Sequence, residues 1–149
     1  YGTFDLDAHP EADFIFIAGG IGSAPIMSML RTMADRRDER SIQFFYGNPT
    51  RDTIAFREEL QQLEQRLNLD VIHVLEQPPE GWEGESGFVT KEMLEGRLCD
   101  DFRDCTFFLC GPLPMLETVE AALMELGVSR GQMRAEIRER IHTELYKMA

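Results

Sequence analysis

Cysteine is sparse in this chain of 149 residues: Cys99, Cys105 and Cys110 make an odd number at irregular spacing. They match neither the Cys-x-x-Cys pair of a zinc site nor the plant-type iron–sulfur pattern, so no metal is expected. Three such thiols suit a reduced, cytosol-facing setting, either the cytoplasm or the cytoplasmic face of a membrane. Histidine is equally thin, and His9, His73 and His142 form no ligand constellation. Basic residues are outnumbered, 15 Lys and Arg against 27 Asp and Glu, for a formal net charge of −12. Such a surface repels phosphate backbones and anionic lipid, so no nucleic acid is expected as partner. No apolar run approaches the roughly 20 residues of a membrane helix, and no internal repeat or low-complexity tract occurs.

What the chain has in quantity is alternation of apolar runs with amphipathic stretches, the pattern of βαβ units around a parallel sheet. Its length suits one domain with a real core. Strands are expected at Asp13 to Ala18, Ile42 to Tyr46, Val71 to Leu75 and Thr106 to Cys110, with a closing strand at Ile141 to Tyr146. Helices are expected from Pro25 to about Asp35, from a cap at Asp52 or Thr53 through Leu67, around Lys91 to Leu94, and from Pro112 to Leu126 with Gly127 as C-cap. The prolines and glycines from Gln77 to Gly87 read as a surface loop. The charged segment Arg130 to Arg140 has too weak a period to place.

The first strand runs straight into Gly19, Gly20, Ile21, Gly22 and Ser23, and then into the helix that begins near Pro25. Glycines permit positive φ and keep Cβ atoms out of a ligand's way, while the helix start aims free N–H groups and a positive dipole end at an anion. A plain strand-to-helix turn uses the same residues, so the cradle needs company. It comes from Tyr46-Gly-Asn48-Pro-Thr50-Arg51-Asp52, from Leu109-Cys110-Gly111-Pro112-Leu-Pro114-Met115 and from Ile141-His-Thr-Glu144-Leu-Tyr146.

In this order and spacing the segments resemble the nucleotide-binding half of the ferredoxin–NADP reductase family, particularly its ferric-reductase-like bacterial members. The opening Tyr1, Gly2, Thr3 and Phe4 resemble the end of that family's FAD-binding barrel. Residues 1–7 are therefore expected to be the tail of a barrel or linker missing in front of the chain, and 8–149 the NAD(P)-binding domain. The resemblance implies a three-layer α/β fold of ferredoxin reductase type, an open parallel sheet in strand order 3-2-1-4-5, with ligand at the carboxyl ends of the strands.

The resemblance also implies roles. Gly19, Gly20, Ile21, Gly22, Ser23 and Pro25 would hold the pyrophosphate and nicotinamide end of NAD(P)H. Cys110, with Gly111, Pro112, Pro114 and Met115, would lie beside the nicotinamide and orient it without a covalent step. Asn48, Thr50, Arg51 and Asp52 would lie beside the adenosine ribose, where an acid takes the 2′-OH of NAD and an arginine the 2′-phosphate of NADP. Both types are present, and Pro49 stands where ferric-reductase-like members often carry arginine, so NADH and NADPH stay open. Glu144 would lie near the flavin N5, and the Tyr146 ring would cover the flavin.

The expected function is delivery of hydride from NAD(P)H to FAD, held mainly by the missing N-terminal domain of the same parent chain. Electrons would then pass singly to a haem, an iron–sulfur centre or ferric iron. The fragment alone is expected to be inactive. The alternative is a non-catalytic NAD(P)-binding domain used for sensing or assembly.

Overall fold

The computed structural model describes residues 6–9 and 12–138. Strand β1 (Phe14–Gly19) lies at the centre of a wholly parallel sheet, between β2 (Ser41–Asn48) and β5 (Thr106–Gly111). Outward from β2 come β3 (Asn68–Leu75) and the two-residue β4 (Glu85–Ser86); outward from β5 comes β6 (Met133–Ile137). Apart from β4, which adds a short rung beyond β3, this is the expected order 3-2-1-4-5.

Strand β1 is apolar without interruption because both of its faces are covered. Phe14, Phe16 and Ala18 join Phe44, Tyr46, Phe108 and Cys110 on one face, against Met27 and Leu30 of α1 (Ser23–Asp35) and Leu60 and Leu63 of α2 (Arg57–Arg66). Ile15 and Ile17 turn to the other face with Phe45, Phe107 and Leu109. There they meet Leu94 of α3 (Lys91–Arg97) and Leu116, Val119 and Leu123 of α4 (Leu113–Glu125). The period-two alternation thus divides the core into two layers. Among the described residues no helix is long and apolar enough to cross a membrane.

Two expectations are corrected. No helix starts at Asp52 or Thr53: Thr50 and Thr53 close a capping box on a separate 3-10 turn, Arg51–Thr53. The chain then breaks at Phe56, which takes φ 62°, and α2 begins only at Arg57. Ile54 reaches the core, whereas the Phe56 ring stays outside it under the Arg31 guanidinium, 5.2 Å from its centroid. The second correction concerns the outer strand beyond β5, which is Met133–Ile137 from the segment that periodicity left unplaced. Only Met133 is fully buried there, so Arg134 and Glu136 fit a sheet edge and blur the pattern. The expected strand at Ile141 to Tyr146 lies outside the described residues.

Helix α4 ends as its glycine forecasts. The Gly127 N–H donates to the Met124 carbonyl and the Val128 N–H to the Leu123 carbonyl, at 3.1 and 3.0 Å, with Gly127 at φ 98°. This paired closure satisfies carbonyls the helix leaves open. A Cβ at Gly127 would also lie 2.8 Å from Nε of Arg103, which donates to the Leu126 carbonyl at 3.0 Å. Gly127→Ala is therefore expected to lower the unfolding free energy by about 1–2 kcal/mol. Urea denaturation would show it as a lower midpoint at unchanged slope, and an unchanged midpoint would contradict the strain argument.

Candidate functional site

The carboxyl edge of the sheet brings together the two glycine turns that the sequence keeps far apart. β1 leaves through the 3-10 turn Gly20–Gly22, in which Gly20 takes φ 49° with open space where its Cβ would be. Gly22 is needed for a different reason. A Cβ there would overlap the Cys110 carbonyl oxygen and lie 2.6 Å from the Cys110 carbonyl carbon and 2.9 Å from the Gly111 nitrogen. On the far side the Met115 side chain covers Gly19, and its Sδ lies 2.8 Å from where a Cβ on Gly111 would be. Gly19, Gly22, Cys110, Gly111 and Met115 thus form one continuous contact.

Helices α1 and α4 both start at this edge, on opposite faces of the sheet. Their N-caps are Gly22 and Pro112, and neither end has a side-chain cap bond. Ser23 is the buried first residue of α1. Pro25 and Pro114 lie in first turns, where a missing N–H costs nothing. With Gly22 and Pro112 as N-caps, no N-cap side chain covers the positive end of either helix dipole. Ile21 projects from the rim, half exposed.

Cys110 is fully buried, level with Ala18 of β1 and Glu136 of β6. Burial pushes its thiol up to about 11; Glu136 adds to the rise, while Arg138 opposes it by charge and a hydrogen bond. The Arg138 guanidinium also pairs with Glu136, and its backbone N–H donates to the Gly111 carbonyl at 2.7 Å. At neutral pH Cys110 is therefore an uncharged thiol, suited to packing and positioning rather than to nucleophilic attack.

The ends of β2 and β3 are less tidy. Asn48 is buried, and among the described residues its Nδ2 has no hydrogen-bond partner, nor do Tyr46 Oη and His73 Nδ1. Alternation puts all three side chains on the α1–α2 face of the sheet. The Asn48 amide is a buried donor with capacity for a further partner. Thr50 is spent on its capping box, whereas Arg51 and Asp52 stand exposed on the following turn. Glu144 and Tyr146 lie outside the described residues.

Sequence reasoning missed Phe88, at 68% the most exposed large apolar side chain among the described residues. It follows β4 and Gly87, whose φ is 93°. An aromatic placed directly after a glycine-rich loop was the available signal. Ile137 and the Glu136–Arg138 pair were missed with the strand that carries them. Open Gly20, two uncapped helix starts and the unpartnered Asn48 amide fit an extended ligand with an anionic centre and a polar end, as a dinucleotide has.

The family model described as oxidoreductase NAD-binding domain matches residues 16–121. NADH-cytochrome b5 reductase 1 of Lodderomyces elongisporus is 31% identical over 143 residues, covering 94% of this chain and 48% of that protein. Its counterpart in Aspergillus oryzae is 31% identical over 132 residues, 84% of this chain and 45% of that protein. The chain spans about half the length of these curated relatives. Among solved structures, the cytochrome b5 reductase domain of Ulva prolifera nitrate reductase superposes with a TM-score of 0.74 at 26% identity, covering 84% of this chain and 48% of that one. The CS-b5R domains of human Ncb5or, in an NAD+ form, give 0.75 at 27% identity, covering 91% and 39%.

The buried thiols make stability fall in alkali. Cys99 and Cys110 are pushed up to about 11 and Cys105 to about 12, each chiefly by burial. The unfolded chain then loses these protons first, from about pH 8.5. The stabilisation is complete below that pH and is lost as pH rises toward 11 to 12, with a slope of at most about 1.4 kcal/mol per pH unit for each thiol. Denaturant unfolding across pH 8 to 11 should show the decline, shallower in Cys110→Ala; equal slopes would contradict the burial argument.

Proposed function

The chain belongs to the oxidoreductase NAD-binding domain family, and from that membership we propose that it is the NAD(P)H-binding half of a flavin-dependent oxidoreductase. FAD would be held mainly by a barrel domain of the same parent protein, joined through residues 1–7, with 8–149 as the nucleotide domain. The observation that carries the reading is the contact of two turns at one sheet edge, Gly22 against Cys110 and Gly111, and Met115 against Gly19.

Bound NAD(P)H would supply a hydride for the flavin. The N–H groups of Gly20, Ile21, Gly22 and Ser23 hold the pyrophosphate at the positive end of α1, with Pro25 fixing the helix path. Asn48 meets the adenosine side with its free amide, and Arg51 and Asp52 flank the ribose. Gly111, Pro112, Pro114 and Met115 set the floor for the nicotinamide, and Cys110 beneath them keeps that floor in register without taking a charge. Glu144 steadies the reacting end, and Tyr146 covers the flavin. Ile21, just after β1, and Ile137, the last residue of β6, give the edge an apolar rim on which a flavin domain seats and excludes water.

Electrons would leave the flavin singly toward haem, an iron–sulfur centre or ferric iron. Haem is supported by relatives named for cytochrome b5. NADH is the preferred donor in this reading, since those relatives are named for it and Asp52 is free to accept from a 2′-OH. The free thiols suit the cytoplasm or the cytoplasmic face of a membrane.

Addition of NADH to the isotope-labelled chain should shift the amide resonances of Gly19 to Ser23 together with those of Cys110 to Met115. Shifts confined to other residues at saturation would remove the assignment. NADH should bind more tightly than NADPH, and a loss of tenfold or more, about 1.4 kcal/mol, in NADPH binding alone on Arg51→Ala would reverse that preference. The purified chain should be colourless and without reductase activity, because FAD is held elsewhere; stoichiometric FAD on it would overturn the two-domain reading.

A further inference from the structure

At the end of the sheet remote from the glycine turns, the segment joining α3 to β5 folds back on itself. The Cys99 N–H donates to Oε1 of Gln43 on β2 at 2.8 Å. The N–H groups of Phe102, Asp104 and Cys105 donate to the carbonyls of Cys99, Asp101 and Phe102 at 3.1, 2.9 and 3.2 Å. These ties bring the two thiols and an Asp101 carboxylate oxygen within 4.8 Å of one another, a grouping that no other His, Cys, Asp and Glu side chains form among the described residues. Cys105 is buried, Cys99 half-buried and Asp101 exposed. The cluster lines a cavity of about 460 Å³ that Asp13 also borders, so it has an entrance from solvent and a further carboxylate near at hand.

We propose that Cys99, Asp101 and Cys105 bind a thiophilic divalent cation of the Zn2+ class, a site separate from the nucleotide edge. Two thiolates select such a cation over Mg2+ or Ca2+, which take oxygen ligands. Bond lengths of about 2.3 Å to sulfur and 2.0–2.2 Å to oxygen place tetrahedral ligand atoms roughly 3.3–3.8 Å apart. The three groups therefore need to close by at most about 1.5 Å, a movement within the reach of side-chain rotation. The fourth position falls to water or Asp13. On binding, the hydrated cation sheds waters, each thiol gives a proton to solvent, and two S–metal bonds and one Asp101 O–metal bond form; with water in the fourth position the centre carries one net negative charge, and with Asp13 there it carries two. Without metal the thiols stay protonated, since burial and the nearby acids oppose thiolate formation. Loaded, the site would fasten the amino end of β5 to the loop before it. The spacing Cys-x-Asp-x-x-x-Cys does not announce itself in the sequence; the fold assembles it.

Co2+ is the probe, added to the full chain under argon with a non-thiol reductant. One equivalent should produce sulfur-to-cobalt charge-transfer absorption in the near ultraviolet with the strong visible bands of a tetrahedral site, and one equivalent of Zn2+ should erase both. Cys99→Ser and Cys105→Ser should each weaken binding more than about 100-fold, beyond the 10–100-fold that outer partners carry. Asp101→Asn should weaken it at least about tenfold, and Cys110→Ala should leave it unchanged. Circular dichroism checks the fold, and if buried Cys105→Ser fails to fold, Cys99→Ser and Asp101→Asn decide. No charge-transfer band at stoichiometric cobalt, a band that survives Cys99→Ser, or one lost in Cys110→Ala would overturn the proposal. So would a Cys99–Cys105 disulfide in the reduced protein, found by mass.

Discussion

The close approach of the Gly22 backbone to the carbonyl of Cys110 is the constraint on which the rest of the carboxyl edge depends. It lets the turn after β1 settle onto the end of β5 with no side chain between them. Because that turn lies flat, α1 starts at the level of the strand ends, and Met115 closes over Gly19 from the other side. A larger residue at Gly22 would lift the turn by the thickness of a methyl group, misaligning two helix starts at once. Glycine here serves chain-to-chain packing first, and any ligand benefits from what the packing arranges.

The central strands were legible because their signal is redundant, while the sheet order came from the family resemblance. Phe14 to Ala18 and Phe107 to Cys110 are apolar on both faces, and only a doubly covered parallel strand needs that. The glycine turn and the Cys110 to Met115 segment were legible as motifs, and the fold brought them into contact. What failed did so for local physical reasons. Thr50 and Thr53 satisfy one another, so a cap-like sequence ends a single turn instead of starting a helix. Met133 to Ile137 carries its charges on a sheet edge, where alternation is diluted by half-exposed positions. The Cys99, Asp101 and Cys105 cluster was invisible because hydrogen bonds to Gln43 and within the loop, not sequence spacing, bring it together.

The two ends of the sheet differ in character. Strands deliver glycines, uncapped helix starts and exposed apolar side chains to the carboxyl edge, whereas the amino edge is held by ion pairs and side-chain ties. Arg40 shows the latter arrangement: it grips Asp38, donates to the His9 carbonyl at 2.6 Å and lies 4.5 Å over the Phe14 ring. One end is thus built for rigidity, and the other is left open to partners.

The placement of β1 at the centre also governs the order in which such a chain assembles. One flank of β1 is satisfied by β2, which follows soon after it, but the other waits for β5, so that Phe14 pairs with Thr106 and Ala18 with Cys110. A ribosome would release the whole β1–β2–β3 half before the strand that completes it exists, and closing so long a loop is slow. During that interval the most apolar strand of the protein presents an open flank, the kind of surface that chaperones hold. The glycine turn acquires its shape only when β5 docks, which makes the binding edge among the last parts of the nascent domain to form.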